Sequence, residues 1–509
     1  MNALTQMLDF ATVHGLLVEE DRDYARNALL AALGLYAPPE DSGEDSQPLP
    51  RTIGPILSAL TDVAAAHGMV DDSPSERDRF GEHLISLILP PPSVVTQRFH
   101  SIYDRRGAAQ ATNWFYDFCK ASNAIHVDAI KKNVGYLAPS PYGKLQITIN
   151  LSKPEKDPRE IARQKTMPSV GYPLCMLCKE NEGYAGRPGY PSHETLRTVQ
   201  LRLCGEAWRL QFSPYSYYDE HCIVLNEKHV PMVIEKKTFA LLCDFVDQFP
   251  AYFIGSNADL PIVGGSILSH NHFQGGRHVF PIDNAPVTKW FAHPDFPRVR
   301  AGIVRWPMTC LEARGENAEE LTAFCDALLR FWRGYDDASA GVLHETEGQP
   351  HNTITPIARK AGKVYRMRLV LRNNRTDAEN PLGIFHPHAN LHHIKRENIG
   401  LIEVMGLFIL PGRLLKELDA LKDYLTGARP LEQQPEADSP LAKHYAWVQD
   451  IASRTGTALS PAEAEAVIHR EVAVKCARVL ADAGVYKQNA AGDAGVMRFL
   501  ESIGYRRAK

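Results

Sequence analysis

Nowhere does this chain run apolar for the roughly 18 residues that a membrane-spanning helix needs. Its opening, Met1-Asn2-Ala3-Leu4-Thr5-Gln6, lacks the basic segment of an export signal, so a soluble, cytoplasmic protein is expected. An excess of one charge is missing too. The 56 Lys and Arg against 60 Asp and Glu leave a formal charge of −4, which argues against non-specific binding to nucleic acid or a membrane surface. Cysteine is scarce: nine, an odd number spread thinly along the chain. That excludes a disulfide framework and fits reduced thiols. Only Cys175 and Cys178 form a C-x-x-C pair, and the other seven read as small buried apolar groups. The remainder is ordinary globular composition, 44% apolar and 23% charged in 509 residues, enough for about two to four domains.

Residues 1–95 read as a helical N-terminal region. Leu4, Met7, Leu8 and Ala11 recur at helical spacing, as does a second series from Tyr24 to Leu30. An acidic, Pro/Ser-rich loop follows Pro38-Pro39. Ser73-Pro74-Ser75-Glu76 opens a helix expected to end at Pro90-Pro91-Pro92. From Arg98 the texture changes. Trp114-Phe115-Tyr116 and Gln146–Leu151 read as strands, and the segment after Ser152 as a polar loop entering a short helix. Strands are then expected over 198–203, 208–213 and 221–226, a helix over 231–248, and a strand at 252–257. Beyond 295 the order recurs, with strands at 298–306 and 309–314 and a helix over 317–334. His351-Asn352-Thr353 then stands where His270-Asn271-His272 stood, which puts Thr353 in the place of His272. Residues 96–294 and 295–427 are thus two copies of one unit, the second degenerate. Residues 428–509 form a helical C-terminal region with a second capping box at Ser460–Glu463.

The chemistry concentrates in Gly264–Gly276, where His270-x-His272-x-Gln274 alternates. On a strand, these three share a face while Asn271 and Phe273 point the other way. A neutral imidazole is a good nucleophile toward phosphorus. Glutamine only donates and accepts hydrogen bonds, so it holds phosphoryl oxygens without supplying a titrating proton. Cys175 and Cys178 lie in a turn-rich segment suited to a zinc knuckle, which needs two more ligands. The paired glycines at 264–265 offer backbone N–H donors. Asn257 and Arg187 are candidates for sugar or diphosphate binding.

The His-x-His-x-Gln pattern resembles the transferase branch of the histidine-triad superfamily. Three blocks, "SPYSYYDEHCIVLNEKHVPM", "FIGSNADLPIVGGSILSHNHFQGGRH" and "RENIGLIEVMGLFILPGRL", resemble the longer bacterial galactose-1-phosphate uridylyltransferases. The resemblance implies an α+β fold of two histidine-triad-like antiparallel sheet units with N- and C-terminal helical extensions. It implies UMP transfer from UDP-glucose to galactose 1-phosphate by a ping-pong route, giving UDP-galactose and glucose 1-phosphate. His272 would be the nucleophile, Gln274 its partner and Ser266 a phosphate contact. In the shorter zinc-containing relatives, two histidines complete the zinc site. The matching positions here are His229 and His270, with His221 the competing third ligand. Those relatives hold a second metal through a glutamate where this chain has Thr288, so no second metal is expected. His386, His388, His392 and His393, with Lys395 and Arg396, are candidates for hexose-phosphate binding. A homodimer is allowed. Two other readings stay open: a dinucleoside-polyphosphate phosphorylase-like transfer, and a non-catalytic zinc-stabilised nucleotide binder.

Overall fold

The computed structural model describes residues 3–38, 48–152, 170–187 and 189–507. Most of the acidic loop after Pro38, and nearly all of the polar segment after Ser152 with its expected helix, fall outside them. The protein is α+β, and antiparallel pairing prevails among the described strands, while Leu407–Pro411 runs parallel to Gly143–Asn150. Among the described residues no helix is long and apolar enough to cross a membrane. The chain divides into two compact units. One comprises Met1–Lys132, Ser152–Val230 and His270–Gly276; the other comprises Asn133–Leu151, Pro231–Ser269 and Arg277–Lys509.

The first unit begins with helices and ends in a sheet of four strands. Val199–Leu203, Glu206–Phe212, Cys222–Asn226 and His272–Gly276 pair in that order. Trp114-Phe115-Tyr116, expected as a strand, lies within the helix Ala108–Ala121. Ala111, Phe115, Phe118 and Cys119 are all buried, and their spacing follows the turn of a helix rather than the alternation of a strand. Phe115 then meets Phe212 of the sheet at 5.3 Å. Nor do the three prolines close a helix as expected: the preceding one ends at Ser86, and Pro92 opens Pro92–Arg106, a first-turn position where its missing N–H costs nothing. On the opposite side of the last strand from Gln274, Phe273 stacks on Trp208 at 4.9 Å. Both are fully buried, and burying a side chain the size of Phe273 contributes about 1.5–3 kcal/mol.

In the second unit Phe253–Gly255, Asn352–Ala361, Val364–Asn373, Cys310–Gly315, Arg300–Val304, Val287–Ala292 and Arg506–Arg507 follow one another across a sheet. The helix expected from 231 starts at Lys236, behind Glu235, whose N–H donates to the Thr238 hydroxyl at 3.1 Å. The helix Ala318–Arg333 buries Leu321, Phe324, Leu328 and Trp332, and the Trp332 indole donates to the carbonyls of Thr353 and Arg372 at 3.0 and 3.2 Å.

The pairing corrects one expected equivalence. In the first unit, the strand of His272 pairs with Cys222–Asn226. In the second, Cys310–Gly315 pairs with Val364–Asn373, not with the strand that opens at Asn352. Val364–Asn373 therefore takes the topological place of the His272 strand, and it carries Arg366, Arg368 and Arg372 with no histidine. Thr353 has a structural task instead: its hydroxyl donates to Asp259 at 2.5 Å. The mismatch arises because the order of strands along the chain differs from their order across a sheet.

Glu82 is a buried acid in the first unit, 9% exposed, and one carboxylate oxygen lacks a partner. Burial pushes its pKa up to about 8, and the nearby Asp78 and Glu194 add to this against a Ser192 hydrogen bond. The folded state therefore holds a proton that the unfolded chain, at an ordinary 4.5, has released. The stability tied to this proton is fully present below the unfolded pKa and is lost as pH rises through about 8. Glu82→Gln keeps the shape without the charge. Thermal melts between pH 5 and 9 are expected to show the variant outlasting the parent by a growing margin toward pH 9; parallel profiles would refute this.

Candidate active site and metal centre

The site is built on the strand His272–Gly276 and the turn before it. His270 lies outside that strand, a correction to the alternation of three residues on one face. Only His272 and Gln274 share a strand face, opposite Leu225 and Ile223. His270 is turned aside because its neighbours hold it: the Asn271 N–H donates to the Val230 carbonyl at 2.7 Å, and the Asn271 carbonyl accepts from the Asn226 N–H at 3.0 Å.

That displacement places the His270 ring among sulfurs. Its Nε2 donates to the Asn226 carbonyl at 2.8 Å. The lone pair of Nδ1 is then free to face the thiols, at 3.3 Å from Cys175 Sγ and 3.7 Å from Cys178 Sγ. His229 Nδ1 stands 3.1 Å from Cys178 Sγ, and the two sulfurs are 3.5 Å apart. All four donor atoms lie within 4.8 Å of one another. Bonds of about 2.3 Å to sulfur and about 2.0 Å to nitrogen span tetrahedral edges of about 3.3–3.8 Å, so the set can hold a metal ion. Burial pushes the Cys175 thiol up, but its contact with the His270 ring and the hydrogen bond from the Leu177 N–H hold it below its ordinary range. Burial and the adjacent Cys175 push Cys178 up to about 11. Cys175 is therefore the first to ionise, and a bound cation would favour the thiolate in both.

Asn181 was not singled out from the sequence, yet it ties the loop together. Its amide donates to the carbonyls of Cys175 and Cys178 at 2.8 Å each, and its oxygen accepts from the Tyr190 hydroxyl at 2.6 Å. An asparagine three residues past a C-x-x-C turn was the available signal, since such side chains bond nearby backbone. Arg187, expected at a diphosphate, is engaged here: its guanidinium donates to the carbonyls of Tyr172 and Val170 and covers the Tyr190 ring at 4.5 Å.

His272 is 6% exposed. Its Nδ1 lies 2.8 Å from the His270 carbonyl, an acceptor only, so the proton sits on Nδ1 and the lone pair on Nε2. Burial moves its pKa down, partly offset by this same hydrogen bond. Gln274 Oε1 is 3.1 Å from His221 Nε2, which places His221 beside the glutamine and leaves the third ligand position to His229.

A family model for the N-terminal domain of galactose-1-phosphate uridyl transferase matches residues 16–231, and one for the C-terminal domain matches 245–439. A galactose-1-phosphate uridylyltransferase of Caldanaerobacter subterraneus subsp. tengcongensis is 46% identical, over 99% of this chain and 98% of that protein. One from Bacillus subtilis is 44% identical, with the same two coverages of 99% and 98%. The chain belongs to the galactose-1-phosphate uridylyltransferase family. A solved structure of yeast Ap4A phosphorylase overlaps it with a TM-score of 0.31 at 13% identity, covering 69% of this chain and 98% of that one. That likeness is too slight to inform this chain.

Other candidate residues belong to the second unit. Asn257 is buried, and its oxygen accepts from the Leu401 N–H at 2.9 Å. Ser266 is exposed. The glycines before it serve close packing: a Cβ on Gly264 would lie 2.5 Å from the Ala258 carbonyl oxygen, and one on Gly265 would lie 2.7 Å from Asn257 Nδ2. The later histidines do not converge. His392 bonds the Pro387 carbonyl, His388 pairs with Asp482, His393 bonds His444, and Lys395 pairs with Glu403.

Cys175→Ser is expected to lower both the metal bound per chain, measured by elemental mass spectrometry, and the melting temperature, by several degrees. Equal metal content and stability in the two proteins would show that these four donors hold no ion.

Proposed function

We propose that the chain moves a uridylyl group from UDP-glucose to galactose 1-phosphate through a covalent bond to His272. The observation that carries this reading is the hydrogen bond from His272 Nδ1 to the His270 carbonyl, because it leaves Nε2 as the nucleophile. Nε2 attacks the α-phosphorus of UDP-glucose. The N–P bond forms as the bond to the bridging oxygen breaks, and glucose 1-phosphate leaves with that electron pair. An oxygen of galactose 1-phosphate then attacks the same phosphorus, the N–P bond breaks, and UDP-galactose departs. While the ring carries the group it is positively charged, and the carbonyl on Nδ1–H stabilises that charge.

Gln274 contributes amide hydrogen bonds to the phosphoryl oxygens and, having no titrating proton, does not activate water. Ser266 is assigned to phosphate on the family resemblance alone; Arg187 and Asn257 have polar atoms engaged within the protein. Zinc is assigned to Cys175, Cys178, His229 and His270 on the match between donor set and tetrahedral spacing. Bound there, it supplies structural order rather than a reaction step. The substrates are UDP-glucose, UDP-galactose and hexose 1-phosphates, and the compartment is the cytoplasm.

With UDP-glucose labelled in its uridine half, the protein is expected to acquire covalent label and release glucose 1-phosphate. His272→Asn is expected to lose both by about three orders of magnitude or more, with UDP-glucose binding retained. Undiminished labelling of the variant would overturn the assignment. The labelled protein is also expected to transfer its group to galactose 1-phosphate far faster than to water. Equal rates would remove the role given to Gln274.

A further inference from the structure

His221 immediately precedes the strand Cys222–Asn226, and it shares a strand face with Ile223, the cross-strand partner of Gln274. It is therefore the diagonal neighbour of Gln274, close enough for side chains to meet. The imidazole is held from several sides. The Tyr217 ring lies over it at 5.5 Å and 27°, and the Tyr218 ring at 4.6 Å and 37°. Its backbone N–H donates to the Tyr218 carbonyl at 3.2 Å, and its carbonyl accepts from the Ser213 N–H at 2.8 Å. The turn behind it is clamped as well: a Cβ on Gly276 would come within 2.7 Å of the Glu220 carbonyl oxygen, and the Tyr218 hydroxyl donates to the Gly275 carbonyl at 3.1 Å.

The ring is 3% exposed, and burial drives its pKa down to about 4, so it carries one proton. Nε2 meets Gln274 Oε1 at 3.1 Å, whereas Nδ1 is buried with no partner. An orphaned N–H is rarer in folded proteins than an unused lone pair, so the proton belongs on Nε2. A donating Nε2–H requires the oxygen of the Gln274 amide, and the NH2 group then faces away from His221. With that donor fixed, the amide cannot turn over. The reversed amide would set its own oxygen against phosphoryl oxygens, a contact between acceptors.

We propose that His221 is a positioning residue that locks the Gln274 amide with its NH2 group toward the phosphoryl oxygens of the migrating group. This rests on the uridylyl transfer proposed above. His221 is not a catalytic residue, because it acts only through Gln274.

A double-mutant cycle tests this. His221→Phe keeps a ring between the tyrosines but removes the donor. In single-turnover labelling it is expected to slow covalent capture about tenfold or more, with little change in the UDP-glucose concentration needed for half saturation. Gln274→Ala should be slow already, and adding His221→Phe to it should change little. A loss of equal size in both backgrounds would make His221 a packing residue and overturn the inference. Should His221→Phe not fold, His221→Gln supplies an N–H donor at the same place; labelling within a few-fold of the parent supports the lock, and labelling slower by tenfold or more refutes it. If the unaltered protein takes no label at all, the transfer reading itself fails, and this inference with it.

Discussion

His270 is held from two directions, and the rest of the site depends on it. Its ring is fixed by the Asn226 carbonyl on one nitrogen and faces the two thiols with the other. Its own carbonyl accepts the Nδ1 proton of His272. A change in the cysteine loop thus reaches the tautomer of His272 through one residue, His270. A donor set able to hold a metal thus stands beside His272, in the position from which an outer group sets the orientation of an inner one. The Asn181 amide extends the same chain of constraint by fixing the two cysteine carbonyls.

The second half shows what becomes of the same face without this anchor. Its counterpart strand carries Arg366 and Arg368, which pair with carboxylates, as Arg359 of the adjacent strand does. Arg368 pairs with Glu312 at 2.7 Å, and Asp283 receives Arg359 and Arg366 at 2.6 and 2.7 Å. Glu312 is fully buried, so removing one partner would strand a charge in a low-dielectric interior. Charge pairs occupy that strand where the other carries His272 and Gln274.

Much of this was legible in the sequence, for identifiable reasons. The period-two strands at 199–203 and 222–226 and the helix at 318–333 stand within a few residues of expectation, because burial on one face imposes a strict period. The C-x-x-C pair and two distant histidines were visible as metal-binding types, and the fold brings them together. Trp114-Phe115-Tyr116 misled because an aromatic cluster favours a strand locally, while the burial of Ala111, Phe115 and Phe118 decides for a helix. His270 was placed on the His272 strand because alternation alone does not reveal that Val230 and Asn226 take hold of Asn271. Arg187 and His221 depend on partners fixed only by tertiary structure, which no spacing rule conveys.

The central claim is that a single ring nitrogen, Nε2 of His272, carries the migrating group. The most direct measurement is to trap the protein with UDP-glucose, digest it under alkaline conditions that preserve phosphohistidine, and locate the phosphorus by mass spectrometry and phosphorus NMR. The account requires one modified peptide, with the phosphorus on Nε2 of His272. Phosphorus on Nδ1, or on any other residue, would contradict it.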